Sequence, residues 1–137
     1  MHLYTTNYFN TFIEVAEDTP TQRSIIPPQK EKKTIARIQY ELIANNPYKY
    51  TSDDILFLTF AIRNNVPHDR YKSLREGFFS KGQPCLRTSP LAKSYGFGIH
   101  CDSKGKVAIY GMETPAYRKF ITDQTIKKLK AMRSKSK

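Results

Sequence analysis

Short apolar segments alternate with breaks rich in proline, glycine and asparagine along the whole chain, which is typical of a small domain of mixed helices and strands. In residues 10–16 the β-branched Thr11, Ile13 and Val15 occupy alternate positions, which predicts an N-terminal strand. Residues 17–33 contain three prolines and predict a long loop, because proline lacks the N–H that helices and sheet ladders need.

Three helices are predicted after this loop. Thr34 is a suitable N-cap for the first, and Asn45-Asn46-Pro47 ends it. An apolar stripe at helical spacing is predicted to face the core and comprises Ile35, Ile38, Leu42 and Ile43.

The second helix has signals at both ends. Thr51 and Asp54 have the spacing of a capping box, and Asn65 followed by Val66 and Pro67 is typical of a helix C-terminus. The apolar run ILFLTFAI between these signals would suit a buried strand by composition alone, but the caps favour a helix.

A third helix is predicted after Asp69, which can cap it, with its apolar side formed by Tyr71, Leu74 and Phe78. Ser89-Pro90 predicts an N-cap and a first helical position for a short turn through Lys93.

The clearest local signal is a hairpin. Asp102-Ser103-Lys104-Gly105 suits a type I turn closed by glycine, which pairs Ile99 with Ile109 and Gly98 with Tyr110. This register separates an apolar face from an exposed face that carries His100 and Tyr110, and Tyr110 is expected to lie across Gly98.

The predicted fold class is α+β. A small antiparallel sheet would contain the N-terminal strand, the hairpin and, if the C-terminal segment is extended, a C-terminal strand, with three or four helices on its apolar face. Thr114-Pro115 predicts a further short helix with Tyr117, Phe120 and Ile121 facing inward. The segment 125–132 suits either a last strand or a basic helix. Residues 1–132 would form a single domain, and 133–137 a basic disordered tail.

Charge adds a functional expectation, because it is unevenly distributed. Residues 1–60 carry six Lys/Arg and seven Asp/Glu, a net charge of −1, whereas residues 61–137 carry seventeen and five, a net charge of +12. A field of one sign attracts polyanions, although a solvated basic tail is the simpler explanation of the last twelve residues. There is no export signal or membrane-spanning run, and with two cysteines a reduced cytoplasmic protein is expected.

Several short sequence strings of the chain resemble those of a known family. The strings NTFIEVAED, NPYKYTSDD, FFSKGQPCLR, SPL, YGFGIH, AIYGME and KAMRSK occur in this order. They are similar to a family of short, mostly bacterial proteins that is catalogued only as a domain of unknown function. Phe97 stands where that family more often has tryptophan. The resemblance implies no activity, cofactor or catalytic residue.

Two residues suit catalysis. Cys85 lies close to Arg87 in sequence, and a cation favours the reactive thiolate, so His100 could act as its base. The alternatives are a buried, inert Cys85 and a His100 bonded to a neighbouring carbonyl group. Cys101 falls on the apolar hairpin face and is predicted to be core, and a Cys85–Cys101 disulfide is not expected.

Three other residues suit anion binding. Ser89 marks a helix start, where free N–H groups favour an anion, and Arg87 and Lys93 supply cationic donors. Together with His100 and Tyr110 they are predicted to converge on one binding surface. A capped helix with two solvated cations is the structural alternative.

Two functional hypotheses follow. The first is a small anion-binding module whose partner is a nucleic acid or a phosphorylated small molecule. The second is a small enzyme, or a phosphorylated-metabolite binder, that uses Cys85 and His100 beside Arg87 and Ser89. The histidines and cysteines show no metal-ligand spacing, so neither a metal nor a cofactor is expected. The sequence leaves the ligand and the oligomeric state open.

Overall fold

The computed structural model, which describes residues 3–135, has the predicted α+β architecture, with four strands and five α-helices in that part of the chain. In chain order the elements are β1 Thr11–Glu14, α1 Ile35–Ala44, α2 Ser52–Arg63, α3 Tyr71–Phe79, α4 Pro90–Lys93, β2 Phe97–Cys101, β3 Val107–Gly111, α5 Pro115–Thr122 and β4 Lys127–Lys130. Single 3₁₀ turns span His68–Arg70 and Leu86–Thr88.

The strands form one sheet in the order β3-β2-β1-β4. The hairpin prediction is confirmed, since Ile99 pairs with Ile109 and Gly98 with Tyr110 in antiparallel register. β4 pairs with β1 in parallel, so the sheet is mixed, and the predicted antiparallel pairing holds for β1, β2 and β3 but not for β4. The reason is the route of the chain. β3 and β4 run in the same direction at opposite edges, and such strands need a crossover connection, which α5 provides.

The helical side of the sheet holds the main core. Ile13, Ile99, Cys101 and Val107 from the strands are at most 1% exposed and pack in one cluster with Leu86 and other side chains of the helical layer. Burying an aliphatic side chain of this size contributes about 1.5–3 kcal/mol. A second cluster joins α2 to α3 and comprises Phe57, Ala61 and Phe79, with Val66, Tyr71, Leu74 and Phe78 packed against it.

The other face of the sheet is covered by α5, so His100 and Tyr110, which were expected on an exposed face, are half-buried. Phe120 stacks on the His100 ring at 4.3 Å between centroids, and Tyr117 is 5% exposed. The space beside Gly98 is occupied by Phe12 and Tyr117, not by Tyr110. Atoms of these two rings lie nearest to the position that a Cβ at residue 98 would take. A crossover helix must pack on one face of the sheet. The apolar side of α5 packs on the face that carries His100.

The helix ends follow the sequence signals in α1 and α2. Thr34 Oγ1 accepts the Arg37 N–H, and Thr51 and Asp54 form the reciprocal capping box. Asn65 takes the left-handed conformation with φ of 51°. Asp69 does not cap α3, because the chain first makes a 3₁₀ turn in which the Arg70 N–H donates to the Pro67 carbonyl. α3 therefore begins later than predicted.

Two predicted core positions are exposed. Ile35 at the start of α1 is 38% exposed and Ile121 near the end of α5 is 37% exposed. The segment predicted as either strand or helix is the strand β4. Within the predicted tail, the Ser134 and Lys135 N–H groups donate to the Asp18 carboxylate, and residues 136–137 lie outside the described residues.

Candidate functional site

The five predicted binding residues do not share one surface. His100 and Tyr110 lie under α5, whereas the Ser89 side chain is 3% exposed among the helices on the opposite side of the sheet. Arg87 lies beyond the end of β4, and Lys93 ends α4. The predicted convergence is therefore wrong, because Ser89 packs against α1 in the helical layer, whereas the His100 and Tyr110 side chains point to the other face of the sheet. Ligand binding by any one of them stays a prediction.

His100 belongs to a hydrogen-bonded network of aromatic side chains. The Tyr48 hydroxyl lies 2.8 Å from His100 Nδ1 and 2.8 Å from the Tyr110 hydroxyl. Tyr48 has φ of 59°, a left-handed conformation that is uncommon for a bulky residue and that this network holds in place. Burial lowers the pKa of His100 and raises the pKa of Tyr48, so both groups are neutral at neutral pH. A neutral, satisfied network does not attract an anion.

Cys85 and His100 do not form a nucleophile–base pair. The Cys85 sulfur lies 3.2 Å from the Tyr8 hydroxyl, and Tyr8 packs against the core on the helical side of the sheet. Burial and the hydrogen bond to Cys85 raise the pKa of Tyr8 to about 12, so its hydroxyl is protonated at neutral pH. Cys101 is buried as predicted, its pKa is raised to about 12 by burial, and both cysteines are free thiols.

A basic groove lies where the chain leaves β4, and it contains Arg87, one of the predicted anion-binding residues. Its volume is about 420 Å³. Four cationic side chains and one carboxylate line it, together with two apolar side chains: Arg87, Lys130, Arg133, Lys135, Glu17, Ala131 and Met132. The lining therefore carries a net charge of +3 at neutral pH, since four Lys/Arg oppose one Glu. We call this site the basic groove.

Arg87 is held in the basic groove by backbone contacts. Its Nε donates to the Lys130 carbonyl at 2.7 Å, and its own carbonyl accepts the Met132 N–H at 2.8 Å. Leu86 beside it is fully buried in the main core and fixes the 3₁₀ turn. No carboxylate in the described part of the chain forms a salt bridge with Arg87. Its terminal nitrogens can therefore form the two-pronged contact that arginine makes with phosphate or carboxylate.

The other wall of the basic groove is anchored to the loop after β1. Asp18 accepts the N–H groups of Ser134 at 3.0 Å and Lys135 at 2.9 Å. These backbone donors lower the pKa of Asp18, with the Lys135 N–H the largest cause, so the carboxylate stays ionised at neutral pH. Lys130 forms a salt bridge with Glu17 at 3.2 Å. Arg133 and Lys135 form none within residues 3–135.

Sequence reasoning found one member of the basic groove and missed the others. Arg87 was predicted as a cationic donor, but Arg133 and Lys135 were assigned to a disordered tail. The contacts that Ser134 and Lys135 make with Asp18 span 116 and 117 residues, and no local pattern reveals a pairing of that length. The signal that was available was the acidic pair Glu17-Asp18 in a loop, opposite a basic C-terminus.

Two classes of site have no counterpart in the described part of the chain. Among residues 3–135 there is no cluster of three or more His, Cys, Asp or Glu side chains placed to hold a metal ion. None of the helices between these residues is long and apolar enough to cross a membrane.

The comparisons with known proteins supply a family and no activity. A family model described as "Family of unknown function (DUF6157)" matches residues 3–137. Neither the curated proteins nor the solved structures gave a match.

Proposed function

The chain belongs to the family of unknown function DUF6157, as its sequence strings predicted, and from its geometry we propose that it is an anion-binding module. The proposed ligand carries phosphate and binds in the basic groove. Membership of the family does not itself indicate an activity. The observation that carries the proposal is the anchored guanidinium of Arg87, surrounded by three further cations.

The arrangement of Arg87 favours a ligand over a purely structural role. The lysines on the edge strand β4 do not by themselves indicate a ligand, because lysines on an edge strand prevent it from pairing with strands of other chains. Arg87 is not on the edge strand. Its Nε is bound to a backbone carbonyl while its terminal nitrogens have no carboxylate partner in residues 3–135. Anchoring at Nε orients the side chain before binding, which reduces the conformational entropy lost when an anion binds.

Phosphate is the anion that best fits four cations in an open groove. Each hydrogen bond to a charged group contributes about 1.5–3 kcal/mol, so a single well-placed arginine changes affinity by about tenfold to a hundredfold. A phosphorylated small molecule and a nucleic-acid backbone share this chemistry. They differ in the number of phosphates that the protein contacts, and therefore in how strongly salt weakens binding. For a single strand, the logarithm of the binding constant falls by about 0.7 per contacted phosphate for each tenfold increase in salt.

A catalytic role for Cys85 and His100 receives no support from their positions. Cys85 forms a hydrogen bond with Tyr8 on the helical side of the sheet, whereas the His100 ring stacks on Phe120 of α5 on the other side. The anion-binding proposal does not use either residue.

The proposal is tested by fluorescence anisotropy with a labelled 12-nucleotide single strand, competed by pyrophosphate and by adenosine diphosphate. We expect Arg87→Gln to weaken binding by about tenfold or more. The matched control is Arg118→Gln, which removes the same charge from an exposed position on α5. If pyrophosphate displaces the labelled strand as well as an unlabelled strand does at equal phosphate concentration, the site binds small molecules. If only the unlabelled strand displaces it, and the binding constant falls steeply with salt, the ligand is nucleic acid.

Removing residues 133–137 provides the second arm. If binding is lost with these residues but survives Arg87→Gln, it does not depend on the anchored guanidinium, and the proposal is overturned. Equal losses in Arg87→Gln and Arg118→Gln would also overturn the proposal, because they would show a dependence on net charge alone.

A further inference from the structure

A second cavity lies away from the basic groove, in the helical layer. It has a volume of about 310 Å³, at the lower end of the range for small-ligand sites. α1, α2, α3 and the segment before α4 enclose it, with these side chains: Ile35, Gln39, Leu56, Thr59, Phe60, Arg63, Asn64, Phe78, Gln83, Pro84, Thr88, Ser89 and Pro90. We call it the helical cleft.

Gln39 is the feature of the helical cleft that a structural role does not explain. It lies on α1, where the helical repeat would place an apolar residue, and it is only 3% exposed. Its Oε1 accepts a hydrogen bond from the Ser89 hydroxyl at 2.6 Å. Its Nε2 donates to no described residue and is not among the fully buried atoms that lack a partner, so it lies at the accessible surface of the cleft. A ligand oxygen can accept from this donor in place of water.

The remaining polar side chains of the helical cleft are mostly satisfied by their own helices. Thr59 Oγ1 donates to the Ile55 carbonyl at 2.6 Å and Asn64 Nδ2 to the Phe60 carbonyl at 2.8 Å. Arg63 differs, because it is exposed and forms no salt bridge within the described residues. The lining contains this one cation and no carboxylate, so the cleft favours an anionic ligand over a cationic one.

The walls of the helical cleft are apolar and partly open to solvent. Ile35 and Phe60 are 38% and 37% exposed, although both lie at positions that helical periodicity favours for burial. Leu56 and Phe78 line the cleft behind them. Each square ångström of apolar surface that a ligand covers contributes about 25 cal/mol to burial, so these walls favour a ligand with an apolar body.

We propose that the helical cleft binds a small organic carboxylic acid. Its apolar body contacts Phe60 and Phe78, one carboxylate oxygen accepts from Gln39 Nε2, and Arg63 supplies the opposite charge at the rim. This site is independent of the basic groove, and the two proposals fail or succeed separately.

The test uses 3-phenylpropionate as the probe and follows the ¹H–¹⁵N signals of the Gln39 side-chain amide by NMR. We expect a saturable shift of these signals with wild-type protein. Gln39→Glu keeps an oxygen for Ser89 but replaces the donors with a carboxylate, so the expected result is loss of binding, followed in this variant on the backbone amide signals of Phe60 and Asn64 because the side-chain amide is absent. Phe60→Ala removes an apolar wall from a partly exposed position and is expected to weaken binding about tenfold or more. Its matched control is Ile62→Ala, on the same helix, 39% exposed and outside the cleft.

Four results would overturn the proposal, and the first three concern ligand binding. They are the absence of a saturable shift, equal effects of Phe60→Ala and Ile62→Ala, and equal affinity for 3-phenylpropylamine, which carries the opposite charge. A monomer–dimer equilibrium that Phe60→Ala abolishes would also overturn it, because the cleft would then be an interface between copies of the chain. Arg87→Gln is expected to leave 3-phenylpropionate binding unchanged.

Discussion

Gly98 makes the packing of α5 on the sheet directly testable. A Cβ at this position would lie 2.4 Å from Phe12 Cζ and 2.6 Å from Tyr117 Cε2, distances at which the rings must move. Phe12 is fully buried, and Tyr117 is held by a hydrogen bond from the Val15 N–H to its hydroxyl at 3.0 Å. Neither ring can swing into solvent without losing these contacts.

Two effects of Gly98→Ala oppose each other, and their magnitudes decide the sign. Replacing glycine in a strand reduces the entropy of the unfolded chain and stabilises by about 0.5–1 kcal/mol. Overpacking a buried contact costs about 1–3 kcal/mol, and disturbing the Tyr117 hydrogen bond adds about 1 kcal/mol. We therefore expect Gly98→Ala to destabilise the protein by about 1–3 kcal/mol.

Urea unfolding followed by circular dichroism measures this change. With a slope of about 1–3 kcal/mol per molar urea, the midpoint should fall by about 1 M at unchanged slope. The control is Gly77→Ala in α3, where a methyl group meets no atom within 4 Å and the expected effect is a gain of up to about 1 kcal/mol. A Gly98→Ala protein as stable as the wild type would refute the packing of α5 described above.

Two further predictions concern groups that the structure buries. The Cys101 thiol, fully buried and with its pKa raised to about 12, should resist a thiol reagent at neutral pH in the native protein, whereas rapid labelling would contradict its place in the core. An NMR titration should place the pKa of His100 below the ordinary value of about 6.5, because burial disfavours its charged form. The unfolded chain then binds this proton more readily, so the contribution of His100 to stability is present above about pH 6.5 and is lost as pH falls through the lower pKa of the folded state. A pKa of His100 above 6.5 would contradict this.

The parts of the fold that the sequence predicted are those specified by neighbouring residues. The turn at Asp102–Gly105 fixes the hairpin register, and Thr51 with Asp54 fixes the start of α2, because each of these signals acts across a few residues. The position of α5 and the direction of β4 depend instead on the route of the whole chain around the sheet. A four-residue strand of sequence KKLK carries no signal for either.

The candidate sites were predicted less completely, for the same reason. Arg87 was identified as a cationic donor, but its neighbours Lys130 to Lys135 meet it only through contacts more than forty residues apart in sequence. Ile35 was predicted as core because helical periodicity cannot distinguish the wall of a cleft from the interior. Gln39 gave no sequence signal at all, since a single glutamine on a helix is usually exposed.

The most direct test of the proposed function is the response of the Arg87 side chain to pyrophosphate, measured on its Nε–H signal by ¹H–¹⁵N NMR. The account predicts a saturable shift of this signal together with the backbone amides of Ser134 and Lys135, which form the opposite wall of the basic groove. The Arg118 Nε–H on α5 should stay unchanged at the same concentrations. Shifts of equal size at Arg87 and Arg118, or none at Arg87, would contradict an anion site in the basic groove.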